Sequence, residues 1–112
     1  SLVYIQENKI HTLAADKRPI GGIYRKSFTK FTKQSLTIDK PTSFFIFTDG
    51  YADQFGEKNR RKFFSKNMYD LFLKIHSQPS EKQLQVIEDN FLTWKGNHEQ
   101  IDDVCVIGFK IG

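Results

Sequence analysis

The sequence predicts an α+β fold built on an antiparallel sheet, with two consecutive helices before the last strand. Two observations carry this reading. Strand-like segments come first, then two helical segments, then one more strand, an order that fits α+β and not alternating βαβ units. The first strands are joined by a short polar turn, as a hairpin requires. At 112 residues the chain holds one domain or less.

Ser1-Leu2-Val3-Tyr4-Ile5 is strand-like, and Glu7-Asn8-Lys9 turns it into Ile10-His11-Thr12-Leu13. Because the chain opens inside a strand, we expect it to be a portion of a longer domain. Asp16 to Gly22, with Pro19 and the paired Gly21 and Gly22, reads as a loop. Ser27 to Ile38 sets Phe28, Phe31, Leu36 and Ile38 among Thr and Ser, which favours strand. Asp39-Lys40-Pro41 turns the chain. Thr42 to Thr48 is the strongest strand, and its continuous apolar run predicts that both faces are covered. It ends at the turn dipeptide Asp49-Gly50.

Asn67 is the expected N-cap of the first helix, along which Met68, Leu71, Phe72 and Ile75 recur at helical spacing until Gln78-Pro79. Ser80 and Gln83 have the spacing of a capping box. Leu84, Ile87, Phe91 and Trp94 mark the buried stripe of the second helix, and Gly96-Asn97 closes it. Val104 to Ile111 is the final strand. Within it Cys105 reads as a small buried hydrophobe.

Composition excludes several classes of function. Eleven phenylalanines are more than a disordered segment would carry. No apolar stretch approaches the roughly 20 residues of a membrane helix, so direct membrane contact is not expected. A single cysteine leaves no internal disulfide and fits a reducing, cytoplasmic setting. The net charge is 17 − 13 = +4. The cations are scattered, however, and the one tight run, Lys58, Arg60, Arg61 and Lys62, reads as a solvated loop. A phosphoprotein is the alternative ligand for that run. Nucleic acid is not an expected partner.

Two carboxylate positions stand out. Asp49 lies where a buried strand meets a glycine turn, and Asp102 and Asp103 immediately precede the final strand, which is also expected to be buried. A carboxylate set against an apolar strand is costly unless it caps, pairs or binds a cation. Its hard oxygens suit Mg²⁺ or Mn²⁺. Asp-Gly is also a common turn signal, and Asp-Asp can be a solvated loop, so spacing alone leaves both readings open. His11, His76 and His98 show no zinc-ligand spacing; His98, four residues before Asp102, is the histidine best placed to approach the acidic edge.

The stretch FFIFTDGYADQFGE, the paired helices and WKGNHEQIDDVCVIGFKI together resemble the C-terminal half of SpoIIE-like, PPM-type (type 2C) metal-dependent serine/threonine phosphatases. Pro19-Ile20-Gly21 is similar to that family's Pro-Leu-Gly loop. The resemblance implies one sheet of a β-sandwich, with residues 1–112 as a single partial domain. It implies that Asp49 and Asp102 are metal ligands, Asp103 being the alternative to Asp102, and that the cofactors are two Mn²⁺ or Mg²⁺ ions. The implied reaction is hydrolysis of phosphoserine or phosphothreonine on a bacterial signalling protein, with no covalent nucleophile from this chain. The upstream ligands of the family lie outside this sequence, so the isolated chain is expected to be inactive. The resemblance further implies a phosphoprotein regulator as partner and a cytoplasmic output domain of a larger sensor protein. The other function class consistent with the sequence is a non-catalytic protein-binding module of the same fold. In either case an exposed sheet edge would favour a homodimer.

Overall fold

The computed structural model describes residues 2–13, 33–58 and 60–112. Four strands and two helices follow in the order β1 (Leu2–Gln6), β2 (Lys9–Leu13), β3 (Thr42–Phe47), α1 (Ser65–Ile75), α2 (Ser80–Lys95) and β4 (Val106–Ile111). The strands form one sheet in the order β2-β1-β3-β4, and every neighbouring pair is antiparallel. The α+β fold class is therefore as the sequence predicts.

The hairpin between β1 and β2 has a two-residue loop, Glu7-Asn8, with both φ positive at 49° and 60°. That is the dihedral pattern of a type I′ turn, whose twist matches the strands it joins. Pairing of Leu2 with Leu13 and of Gln6 with Lys9 sets the register. Alternation along the strands then sorts side chains onto two faces. Val3, Ile5, Phe45 and Phe47 are buried and pack on Met68 and Phe72 of α1. The ring of Phe45 lies flat on that of Phe72, with centroids 4.1 Å apart. Each such buried side chain contributes roughly 1.5–3 kcal/mol relative to exposure.

The opposite face is open. Phe44 is covered by Tyr4 and Phe109, its neighbours on β1 and β4. Ile46, Ile107, Phe109 and Ile111 are each 40% or more exposed. The sequence expectation of cover on both faces therefore holds for Thr42 to Phe45 but fails at Ile46. It also fails for the final strand, which lies at the sheet edge with only Val106 half-buried.

Five further expectations are corrected. Cys105 is exposed, because β4 begins one residue later and the cysteine sits in the loop that leads into it. Residues 33–38 form no strand; β propensity acts only where a neighbouring strand offers partners, and no described strand pairs with them. Positions 27–32, and the loop around Pro19-Ile20-Gly21, lie outside the described residues.

Asn67 lies inside the first turn of α1, where its amide donates to the Phe63 carbonyl at 2.6 Å. The N-cap is Phe64, at φ 72° and ψ 149° with no side-chain cap bond. Ser80 and Gln83 make no capping box. The N-cap of α2 is Pro79, and the Gln83 amide instead donates to the carbonyls of His76 and Gln78, at 3.2 and 2.7 Å. The tight connection leaves the end carbonyls of α1 without intrahelical partners, and Gln83 reaches them first.

On α2 the stripe is Ile87, Phe91 and Trp94. Leu84 is 66% exposed, at the rim of a cavity of about 310 Å³ that it shares with Phe45, Ile87, Val106 and Gly108. Gly96 closes the helix at φ 54°, its N–H bonded to the Leu92 carbonyl at 2.9 Å.

The conformation of Phe64 belongs to a region populated almost only by glycine, at a cost of order 1–3 kcal/mol. Its side chain is half exposed, so little packing offsets that strain. Phe64→Gly is expected to raise stability by about 1 kcal/mol. Chemical denaturation would show this as a higher midpoint with an unchanged slope; a lower midpoint would mean that the Phe64 ring matters more than its backbone.

Candidate metal centre

The sheet delivers its carboxylates where β3 ends and the approach to β4 begins. Just beyond the paired strands, Thr48 continues the ladder: its N–H donates to the Cys105 carbonyl at 3.0 Å. The Thr48 hydroxyl donates to the Asp103 carbonyl at 3.0 Å and accepts from the Cys105 N–H, also at 3.0 Å. Asp49 follows Thr48 directly, and Asp102 precedes Asp103. The two segments named from the sequence are thus hydrogen-bonded neighbours at one end of the sheet. Gly50 is buried with its Cα against the Asp103 carbonyl, so that a Cβ there would collide with that oxygen. A residue with any side chain could not follow Asp49 at this approach.

Each aspartate belongs to a turn of its own. The Asp53 N–H donates to the Asp49 carbonyl at 2.9 Å, winding residues 49–53 into a single helical-type turn. The Asp103 N–H donates to Oδ1 of Asp102 at 2.8 Å, which orients that carboxylate. Gln100 donates to the Asp102 carbonyl at 2.9 Å. Asp49, Asp102 and Asp103 are all exposed, free to take an added ligand from solvent.

Oxygen donors of this type fit a hard divalent cation. Among the described residues, no group of three or more His, Cys, Asp and Glu side chains could hold a metal ion. Asp49 and Asp102 offer two such oxygen-donor side chains, and a Mg²⁺ ion with near-octahedral geometry needs further anchored ligands beyond them. His98 does not join them. Its ring lies beside Phe55, centroids 5.7 Å apart, and its Nδ1 is 2.9 Å from the Glu99 carbonyl.

An open hollow is lined by Phe55, Glu57, Arg60, Asn97, His98 and Ile101, and by neither aspartate. Of the basic run, Arg60 lines this hollow and Arg61 is exposed, while Lys62 faces Asp53 at 3.5 Å. That ion pair is nearly half exposed on both sides and so contributes little.

Two residues that sequence reasoning passed over organise this end of the molecule. Gln54 is fully buried. Its amide donates to the carbonyls of Phe55 and Glu99, at 3.0 and 2.9 Å. Its backbone carbonyl accepts from the Phe63 N–H and, at 2.8 Å, from the Trp94 indole. Tyr51 is equally buried. Its hydroxyl donates to the Ile87 carbonyl at 2.8 Å and accepts from Asn90 at 2.9 Å. Burial pushes the phenol up to about 12, against a smaller opposing effect of the Asn90 hydrogen bond. The phenol thus stays a neutral donor, joining the post-Asp49 turn to α2. No periodic signal marks either residue, since both lie in a turn and act through partners far along the chain.

A family model described as Stage II sporulation protein E (SpoIIE) matches residues 1–112. Comparison with curated proteins gives no match. Among solved structures, the chain is similar to the SiaA-PP2C domain of Pseudomonas aeruginosa, with a TM-score of 0.78 and 23% identity. That likeness covers 99% of this chain and 42% of the other, so the chain spans less than half of the structure it matches.

Removal of the Tyr51 hydroxyl tests how firmly the turn after Asp49 is tied to α2. Tyr51→Phe keeps the ring contacts with Phe63 and Phe91 but leaves the Ile87 carbonyl and the Asn90 amide without this partner. The expected cost is about 1 kcal/mol, read in a thermal melt as a drop of roughly 4–8 °C. An unchanged melting temperature would mean that water replaces the hydroxyl.

Proposed function

Because this chain belongs to the SpoIIE family, we propose that it is the C-terminal portion of a PPM-type phosphatase domain that hydrolyses phosphoserine or phosphothreonine on a bacterial signalling protein. The observation that carries this reading is the pairing of the Asp49 and Asp102 segments through Thr48, which sets two hard carboxylates at one end of the sheet. In this reading Asp49 and Asp102 hold Mn²⁺ or Mg²⁺ together with ligands from sequence outside residues 1–112. When bound, two such ions lower the pKa of water and offset charge on the attacked phosphoryl group. In this reading no covalent nucleophile from this chain is needed. The chain's part is to anchor the two carboxylates and to exclude side chains from the turn at Gly50. Alone it is inactive, because two carboxylates cannot complete two octahedral sites.

The open sheet face supports the same reading. Ile46, Ile107, Phe109 and Ile111 present an apolar surface of the kind that another layer covers. In a complete domain that layer is the remainder of the sandwich. In the isolated chain the free edge of β4 also offers a pairing site for a second copy. Such an open apolar face also favours the second reading, a non-catalytic module that binds a protein there. The partner in the first reading is a phosphoprotein regulator, met by a cytoplasmic output domain of a sensor. Among the described residues, no helix is long and apolar enough to cross a membrane.

Calorimetric titration with Mn²⁺ separates the two readings. The wild-type chain is expected to bind, and the Asp49→Asn, Asp102→Asn double variant to lose about tenfold or more in affinity. Equal behaviour of the two proteins would favour the non-catalytic module. Light scattering tests self-association: a species of twice the chain's mass is expected, and a monodisperse monomer would rule out the edge-paired dimer.

A further inference from the structure

We infer that Thr48 is a positioning residue for the candidate carboxylate pair, holding the Asp102 segment against the end of β3 through its side-chain hydroxyl. The inference rests on the metal-centre reading given above. Its basis is a closed cycle of contacts. At one end of the cycle the Thr48 hydroxyl donates to the Asp103 carbonyl and accepts from the Cys105 N–H, each at 3.0 Å. At the other end the Gln54 amide donates to the Glu99 carbonyl at 2.9 Å. Asp49 lies between Thr48 and Gln54 on one side of the cycle. Asp102 lies between Glu99 and Asp103 on the other. The segment bearing Asp102 is thereby pinned before and after its carboxylate, to the same stretch of chain that bears Asp49.

The two pins differ in what they contribute. Gln54 is fully buried, so its side-chain amide, cut off from water, depends on the carbonyls of Phe55 and Glu99 for its hydrogen bonds. Thr48 is exposed, so water would serve both of its partners if the hydroxyl were lost, and global stability depends little on it. What the hydroxyl supplies is direction. Because it donates and accepts at once, its rotation is fixed, and it sets the separation of the Asp103 carbonyl and the Cys105 N–H from the end of β3. Small divalent ions tolerate little error in ligand placement, and groups that orient ligands from outside the coordination sphere affect affinity about 10–100-fold.

The test uses the 112-residue chain with Mn²⁺ as the probe. Paramagnetic broadening of the Gly50 and Asp103 amide signals is followed by NMR in the wild type, Thr48→Val and Thr48→Ser. Valine keeps the shape without the hydroxyl; serine keeps the hydroxyl without the methyl group. The expected result is a midpoint about tenfold or more higher for T48V, with T48S titrating like the wild type and all three proteins melting together. A T48V midpoint equal to that of the wild type would overturn the inference, and so would a T48S midpoint raised as far as that of T48V. Absence of localised broadening in the wild type would overturn this inference, because the carboxylate pair of this chain would then hold no ion for Thr48 to help place.

Discussion

The flat contact between Phe45 and Phe72, centroids 4.1 Å apart, joins the most enclosed strand to the first helix, and the rest of the architecture is arranged around it. β3 pairs with β1 on one side and β4 on the other, so fixing Phe45 fixes the middle of the sheet. Gly108, opposite Phe45 on β4, leaves the space in which that ring sits; a Cβ there would come to 3.0 Å of it. With the strand held, its last residues have little freedom. Thr48 and Asp49 emerge from an anchored backbone, and a carboxylate can be aimed only from such a base.

The elements most legible in the sequence were those with a local pattern. The strand-like stretch Leu2 to Ile5, the apolar run ending at Phe47, and the recurrence of Met68, Phe72 and Ile75 are each carried by a few neighbouring residues. The Asp49 and Asp102 segments were also found, by motif, and the fold brings them side by side. What failed had a common physical origin. Cover on both faces of the sheet was inferred from hydrophobicity, but an apolar face says only that something can pack there. Leu84, Ile107 and Phe109 carry the residue types of a core and remain largely exposed. Capping was misread for a related reason. A side chain with several possible partners takes the nearest orphan group, and for Gln83 that was the end of the preceding helix.

The polar connections at the carboxylate end could not have been read from periodicity. The Gln54 amide bonds a carbonyl 45 residues away, and the Thr48 hydroxyl an N–H 57 residues away. Neither separation leaves a trace in local composition. In the sequence Thr48 is one letter of a Thr-Asp-Gly motif, with its neighbour drawing the chemical interest. In the structure its hydroxyl bonds both the Asp103 carbonyl and the Cys105 N–H. Sequence motifs name the groups that do chemistry more readily than the groups that hold them in place.

Trp94, the chain's single tryptophan, lies with its ring against Gly56, where even a methyl group would come to 2.8 Å, and with its indole N–H bonded to the Gln54 carbonyl at 2.8 Å. It also meets Phe63 edge-on at 5.4 Å. With one indole in the chain, tryptophan emission has a single origin, and that origin is hydrogen-bonded to Gln54, whose amide bonds the Glu99 carbonyl. Loosening of the Asp102 segment would alter the hydrogen bonding and solvent access of the chromophore directly. The molecule thus carries a native optical reporter, one that requires no label and is addressed to the junction between α2 and the carboxylate loops.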